Sequence, residues 1–254
     1  MKVLLLGSNG QLGWELTRAC PKNVTLKTCD YPKVDFGSKS SISRCIKTTQ
    51  PDCIINAAAY TPVDKAEKEK DLAHRINHLA VIEIAELCQQ NKISLTHIST
   101  DFIFNGQNFK PYKPDDIPDP KSVYGKSKLK GEQAVHKILG DKALIIRTAW
   151  LYSSHGNNFV KTMLNLMKET PVLSVIDEQI GTPTWAKGLA VPYGSPWRKK
   201  YLEPFTGQMQ VLLPGMILPW PSRKKGYKQA CLTNPYLFFR CQPVNTRPLQ
   251  KDPC

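Results

Sequence analysis

Val3 to Leu6 is an unbroken apolar run between Lys2 and Gly7, the pattern of a strand buried on both faces. Gln11 to Ala19 then reads as a helix and stops before Pro21. Val24 to Cys29 alternates like a second strand, and Ser40 to Thr49 is helical. Gln50-Pro51 leads into a third strand, Asp52 to Asn56. Leu72 to Gln90 places Ile76, Leu79, Ala80, Ile84 and Leu87 three and four apart, which predicts one long amphipathic helix. Ser94 to Ile98 is a fourth strand, Val123 to Leu139 a further helix, and Ala143 to Arg147 a fifth strand. Strands alternating with helices at this pace predict an α/β fold, a Rossmann-like doubly wound parallel sheet over residues 1–150.

The turn after the first strand carries Gly7, Gly10 and Gly13. In such a sheet, this strand–turn–helix sets backbone N–H groups and a positive helix end against a dinucleotide pyrophosphate. Asp30 ends the second strand at the distance where an acidic residue commonly hydrogen-bonds the adenosine ribose; a solvated loop aspartate is the alternative. Ala57, Ala58 and Ala59 are small enough for a ligand to approach the backbone closely, or for helices to pack.

Composition narrows the class without deciding it. The 254 residues include eight cysteines with no C-x-x-C pair, which points to reduced thiols and a cytoplasmic protein rather than a disulfide scaffold or a metal site. No apolar run reaches membrane-spanning length, and Met1 to Gly7 is too short for a signal peptide. The net charge of +14 is uneven: residues 192–254 hold 10 Lys+Arg against 2 Asp+Glu. With no nucleic-acid motif, that excess argues weakly for such a partner.

Tyr124 and Lys128 stand four apart on a predicted helix and so share a face. A lysine ammonium beside a tyrosine favours the phenolate, so the pair predicts a lowered tyrosine pKa and an acid/base group usable near neutrality. Thr100 closes the preceding strand and supplies a hydroxyl.

With G-S-N-G-Q-L-G, I-I-N-A-A-A-Y-T-P-V-D-K-A-E, H-I-S-T-D-F-I-F-N-G, V-Y-G-K-S-K-L-K-G-E, R-T-A-W-L-Y, G-N-N-F-V-K-T-M and D-E-Q-I-G-T-P-T-W-A, the chain resembles the extended short-chain dehydrogenase/reductases. Within them it is most similar to the dTDP-4-dehydrorhamnose reductase group, over about residues 1–191. The resemblance implies NADPH or NADH as cofactor and reduction of the C4 keto group of a dTDP-sugar, dTDP-4-dehydro-L-rhamnose. Tyr124 would be the proton donor, Lys128 would hold the nicotinamide ribose, and Thr100 would assist at the carbonyl. Gly7, Asn9, Gly10, Gln11 and Leu12 would cradle the pyrophosphate. Asp35, Phe36, Ala57, Ala58 and Ala59 would line the adenosine side, with Tyr60 nearby. Val63, Asp101, Trp150, Asn158 and Gln179 would face the sugar nucleotide. Phe102 stands where the family often has Tyr, and Ser153-Ser154 where glycine is commoner. Some members bind magnesium, though no residue here is assigned to it. Members of the family form homodimers, through regions that lie partly in the C-terminal lobe. The alternative from another class is a non-catalytic regulatory subunit resembling that of methionine adenosyltransferase.

The resemblance stops near Val191. Residues 151–191 read as the start of a substrate-binding region, while residues 192–254 hold 10 of the 20 prolines and show no periodicity. This basic tail is expected to be largely unstructured, with the small substrate lobe lost. Back-translated and read after dropping two bases, residues 192–218 allow I-W-K-S-L-E-K-K-I-P-G-T-F-H-W-T-D-A-G-V-A-S-W-Y-D-F. From residue 241 onward the same frame allows A-S-Q-Y-P-T-P-A-K-R-P. Both resemble the family's missing lobe, in order, so the tail is read as a frameshift product. Resequencing across the Val191 codon is expected to reveal a gained or lost base; an intact frame encoding this tail overturns the reading.

Overall fold

The apolar run after Met1 forms β1 (Lys2–Leu6), and its alternation decides the architecture. Val3 and Leu5 pack on one face with Leu12 and Leu16 of α1 (Gln11–Arg18), and Leu4 and Leu6 pack on the other. A strand buried on both sides needs helices on both sides.

The computed structural model describes residues 1–170, 179 and 181–190, together with the strand backbone of 210–212. It divides into two units, Met1–Gly156 with Thr184–Leu213 and Asn157–Pro183 with Pro214–Cys254. In the first unit follow β2 (Thr25–Cys29), α2 (Lys39–Thr49), β3 (Cys53–Asn56), the short α3 (Val63–Ala66) and α4 (Lys70–His74). Next come α5 (Ala80–Asn91), β4 (Ser94–Thr100), α6 (Val123–Leu139) and β5 (Ala143–Thr148). The main sheet is parallel throughout, in the order β2-β1-β3-β4-β5, so connections leave β1 in opposite directions. At that switch point the loops after β1 and β3 part and open a crevice at the strands' carboxyl ends. The expected doubly wound sheet is therefore present.

Within the tail, where the pattern offers no strand, the backbone of β8 (Gln210–Leu212) lies parallel to β5. A two-stranded sheet pairs β6 (Leu151–Tyr152) with β7 (Thr184–Trp185), followed by α8 (Ala186–Ala190), which packs with α1 on the β1 face. In the second unit the described helix is α7 (Phe159–Glu169).

The single helix expected over Leu72–Gln90 is interrupted. Between α4 and α5, Arg75–Leu79 makes a π-bulge, and this wider turn carries Asn77 inward to full burial. The Asn77 carboxamide accepts from Tyr60 N at 2.8 Å and donates to Tyr60 O and Ser127 Oγ at 3.0 Å. A hydrophobic period does not reveal such a bulge, because the apolar positions on either side stay in phase with a helix.

The β5–α6 contact contains a buried ion pair. Arg147 donates to Glu132 Oε2 at 2.7 Å, and both side chains are 3% exposed or less. A second guanidinium nitrogen donates to Pro114 O at 2.9 Å, and the plane lies over the Phe104 ring. Arg147 thereby ties the long loop between β4 and α6 to the sheet.

Removing one partner of a buried pair strands the other charge. Glu132→Gln is expected to lower stability by about 3–5 kcal/mol in urea denaturation. The double variant Glu132→Leu/Arg147→Met is expected to recover most of that loss.

Candidate active site

Gly7 is where β1 must turn away from the sheet. Its φ is +79°, and a Cβ there would meet Ala58 N at 2.5 Å. Glycine is thus demanded twice, by dihedral and by space. A Cβ on Gly13 would lie 2.1 Å from Gly7 O, so this glycine seats α1 against the turn. Gly10 differs: a Cβ there would find only Gly7 O, at 3.6 Å, and no side chain caps the helix it begins. Backbone is therefore open to a ligand at the positive end of α1, which fits a dinucleotide pyrophosphate.

Asp30 follows β2 and reaches this loop. Its carboxylate accepts from Asn9 N and from Tyr31 N, both at 2.8 Å. Ala57 to Ala59 form the loop after β3 rather than a helix, and Ala58 N donates to Asn56 Oδ1 at 3.2 Å. The smallness of Ala58 goes with the close approach of Gly7. Two expected cofactor residues have buried side chains: Leu12 belongs to the α1 core and Phe36 to the core beneath α2. Asp35 caps its own turn, accepting from Gly37 N at 2.7 Å.

Residues 151–156 close over the same loop through contacts the sequence did not signal. His155 stacks on Trp14 at 5.0 Å, and its Nε2 lies 3.0 Å from Asn9 O. Ser153 is buried and donates to Glu15 Oε1 at 2.7 Å, so the serine in place of glycine has a partner on α1. Gln11 Nε2 donates to Leu151 O at 3.2 Å. These partners are more than 130 residues apart, and no local pattern announces them.

Tyr124 and Lys128 of α6 both reach β4, Tyr124 beside Thr100 at the strand's end and Lys128 at Ile98. Thr100 Oγ1 donates to Asp101 Oδ1 at 3.1 Å and accepts from Phe102 N at 3.2 Å. Thr100 also hydrogen-bonds the Tyr124 side chain. Tyr124 is buried, with Phe102 edge-on at 5.6 Å and Tyr60, Val63, Ala66, Ala73 and Val123 forming its apolar surround. Burial pushes its phenol up to about 12; the bond to Thr100 pulls down and the Asp101 charge pushes up. The expected lowering by Lys128 is thus corrected. Lys128 Nζ instead donates to Ile98 O at 2.7 Å, and burial brings its own pKa down to about 8 against the pull of Glu132. Tyr124 is held as the neutral phenol, the form that gives a proton.

Tyr60 Oη donates to Glu69 Oε2 at 2.6 Å, and that bond pushes the phenol up to about 12. Burial raises the Asp101 pKa, while Thr100 and nearby amides pull it down. Trp150 sits at φ +44°, rare for a bulky residue, and its carbonyl accepts from Thr184 N at 3.2 Å. In the second unit, Asn158 caps α7 by accepting from Lys161 N at 3.0 Å, and Gln179 is exposed. Asp177 and Glu178 lie outside the described residues. Among the described residues no cluster of three or more ligating side chains suits a metal ion, and no helix is long and apolar enough to cross a membrane.

Residues 1–202 match the RmlD substrate binding domain family. The chain belongs to the dTDP-4-dehydrorhamnose reductase family. It is 39% identical over 224 residues to the dTDP-4-dehydrorhamnose reductase of Salmonella typhimurium, covering 87% of this chain and 75% of that one. It is 42% identical over 194 residues to the Escherichia coli reductase, covering 75% of this chain and 64% of the relative. Among solved structures, the dTDP-4-dehydrorhamnose reductase of Bacillus anthracis in complex with NADP matches with a TM-score of 0.71 and 39% identity. That match covers 74% of this chain and 67% of that one. The chain therefore spans about two thirds to three quarters of these family members.

The lowered Lys128 pKa has a pH consequence. Between about 8 and the ordinary lysine value near 10.5, the unfolded chain holds a proton that the folded chain has released. Stability from this group therefore rises with pH across that window. Relative to Lys128→Met, the parent is expected to gain urea resistance from pH 7.5 to pH 10, followed by denaturation midpoints; a flat difference refutes the burial effect.

Proposed function

We propose that this protein binds NADPH or NADH along the β1–α1 turn and reduces the C4 keto group of dTDP-4-dehydro-L-rhamnose to give dTDP-L-rhamnose. The observation that supports this best is the placing of Tyr124 and Lys128 against the carboxyl end of β4, with Thr100 beside Tyr124, in the same unit as the open turn at Gly10. The relatives' printed names point to the same reaction. The regulatory-subunit alternative gains no support from these relatives, whereas an intact Thr100, Tyr124 and Lys128 suits an enzyme.

In this reading the Gly7–Leu12 backbone binds the pyrophosphate and Asp30 takes the adenosine ribose. Asp35, Phe36 and Ala57 to Ala59 wall the adenosine side, with Tyr60 beside them. When bound, the nicotinamide supplies the hydride. Tyr124 gives its phenolic proton to the C4 oxygen, and its high pKa keeps that proton in place until negative charge develops there. Thr100 orients the carbonyl. Lys128 holds the nicotinamide ribose. Val63, Asp101 and Trp150 are assigned to the sugar nucleotide. The protein acts in the cytoplasm, where sugar nucleotides are made.

We further infer that the frame change near Val191 has cost the lobe that completes the sugar site. Cofactor binding then survives in the 254-residue chain while turnover is largely lost. Isothermal titration is expected to detect NADPH or NADH binding. NADPH oxidation with dTDP-4-dehydro-L-rhamnose, followed at 340 nm, is expected to be weak in this chain and restored in a frame-corrected one. In the corrected protein, Tyr124→Phe is expected to cost about 10²–10⁴-fold in kcat with cofactor affinity retained. Full activity in the phenylalanine variant refutes the assignment of the proton donor.

A further inference from the structure

Two thiols that the proposed reaction does not use lie against each other at the adenosine end of the nucleotide site. Cys29 is the last residue of β2 and Cys45 is on the inner side of α2; their sulfurs are 2.7 Å apart, with Cys45 Sγ donating to Cys29 Sγ. Both are partly buried against the hydrophobic core, and neither is bonded to another cysteine. Cys53 and Cys88 are buried, and Cys20 directs its thiol at the carbonyls of Pro21 and Val24.

Their position ties them to the cofactor loop. The carbonyl of Cys29 accepts the Gly7 N–H at 3.1 Å, and the next residue, Asp30, holds Asn9 N at 2.8 Å. Whatever fixes Cys29 to α2 therefore also fixes the carbonyl and carboxylate that brace the glycine turn.

We propose that Cys29 and Cys45 are a thiol-oxidation site that closes to an intramolecular disulfide and links redox state to occupation of the adenosine pocket. With a small disulfide such as oxidised glutathione, Cys29 attacks one sulfur as its thiolate, its proton passing to solvent. A mixed disulfide forms and one glutathione leaves. Cys45 then loses its proton and attacks Cys29 Sγ, the second glutathione leaves, and each departing thiolate takes up a proton. Two protein thiols are oxidised and one glutathione disulfide is reduced to two thiols. Cys45 is the slower partner, because burial and then the neighbouring Cys29 push its thiol up to about 12. Proximity offsets this, since the attack is intramolecular. Little movement is needed to bring the sulfurs from contact to bonding distance.

The link to the cofactor rests on the function proposed above, whereas the disulfide does not. The full chain is incubated with oxidised glutathione, remaining thiols are alkylated, and the protein is digested with trypsin. Cleavage after Lys33 and Arg44 separates the two cysteines. The expected product is a Cys29–Cys45 linked peptide, reversed by dithiothreitol; in Cys45→Ser the reaction is expected to stop at a glutathione adduct on Cys29. Recovery of both cysteines alkylated overturns the proposal, as does stable glutathione on Cys29 of the parent or a bond from Cys29 to Cys231, Cys241 or Cys254. Saturating NADPH, with binding verified by titration, is expected to slow formation of the linked peptide. An unchanged rate overturns the link alone, while failure of both NADPH and NADH to bind counts against the proposed function and leaves the disulfide result standing.

Discussion

The close approach of Gly7 to Ala58 is the constraint on which the rest of this structure depends. The two backbones meet where the loops after β1 and β3 part, so a side chain at either level is limited by the other. A β-carbon on Gly7 would displace Ala58 N, whose hydrogen bond to Asn56 holds the β3 loop. From this contact α1 takes its seat through Gly13, Gly10 is left open, and the nucleotide crevice acquires both walls.

The second element is a polar seam buried between α6 and the sheet. Lys128, Glu132 and Arg147 are all nearly inaccessible, and each has a partner: the Ile98 carbonyl for the lysine, and the ion pair for the other two. Charges so buried contribute little net stability when paired and cost much when stranded. Here they fix positions: Lys128, one helical turn from Tyr124, is held against β4, and Arg147 holds the loop that follows Thr100. His97, fully buried beside this seam, has its pKa driven well down by burial and by the nearby lysine, so it is neutral and hydrogen-bonds Asn56 at 3.2 Å.

The chemistry of Tyr124 changed most between pattern and structure. Spacing alone pairs it with Lys128 and implies a lowered pKa. In the folded chain the ammonium is spent on a backbone carbonyl, and the phenol sits among Tyr60, Val63 and Phe102. Desolvation therefore dominates, and the group is a firm proton holder. For the proposed donor role in ketone reduction this is the useful state, because the proton is needed only as the oxygen becomes negative.

Strands, helices and the glycine turn were legible from the amino-acid order because they rest on local rules. Alternation sets burial, period sets helix faces, and a positive φ demands glycine at Gly7. The places of Thr100 at a strand end and of Tyr124 and Lys128 on one helix were legible too. Folding alone decided the inward turn of Asn77 at a π-bulge, the stacking of His155 on Trp14, the bond from Ser153 to Glu15 and the meeting of Cys29 with Cys45. Each depends on which faces the packing of α1, α2 and α6 presses together, and the partners lie 16 to 138 residues apart wherever a hydrogen bond joins two of these side chains. Local rules cannot carry that information, because a pKa or a contact is set by everything that excludes water from a group, not by its neighbours along the chain.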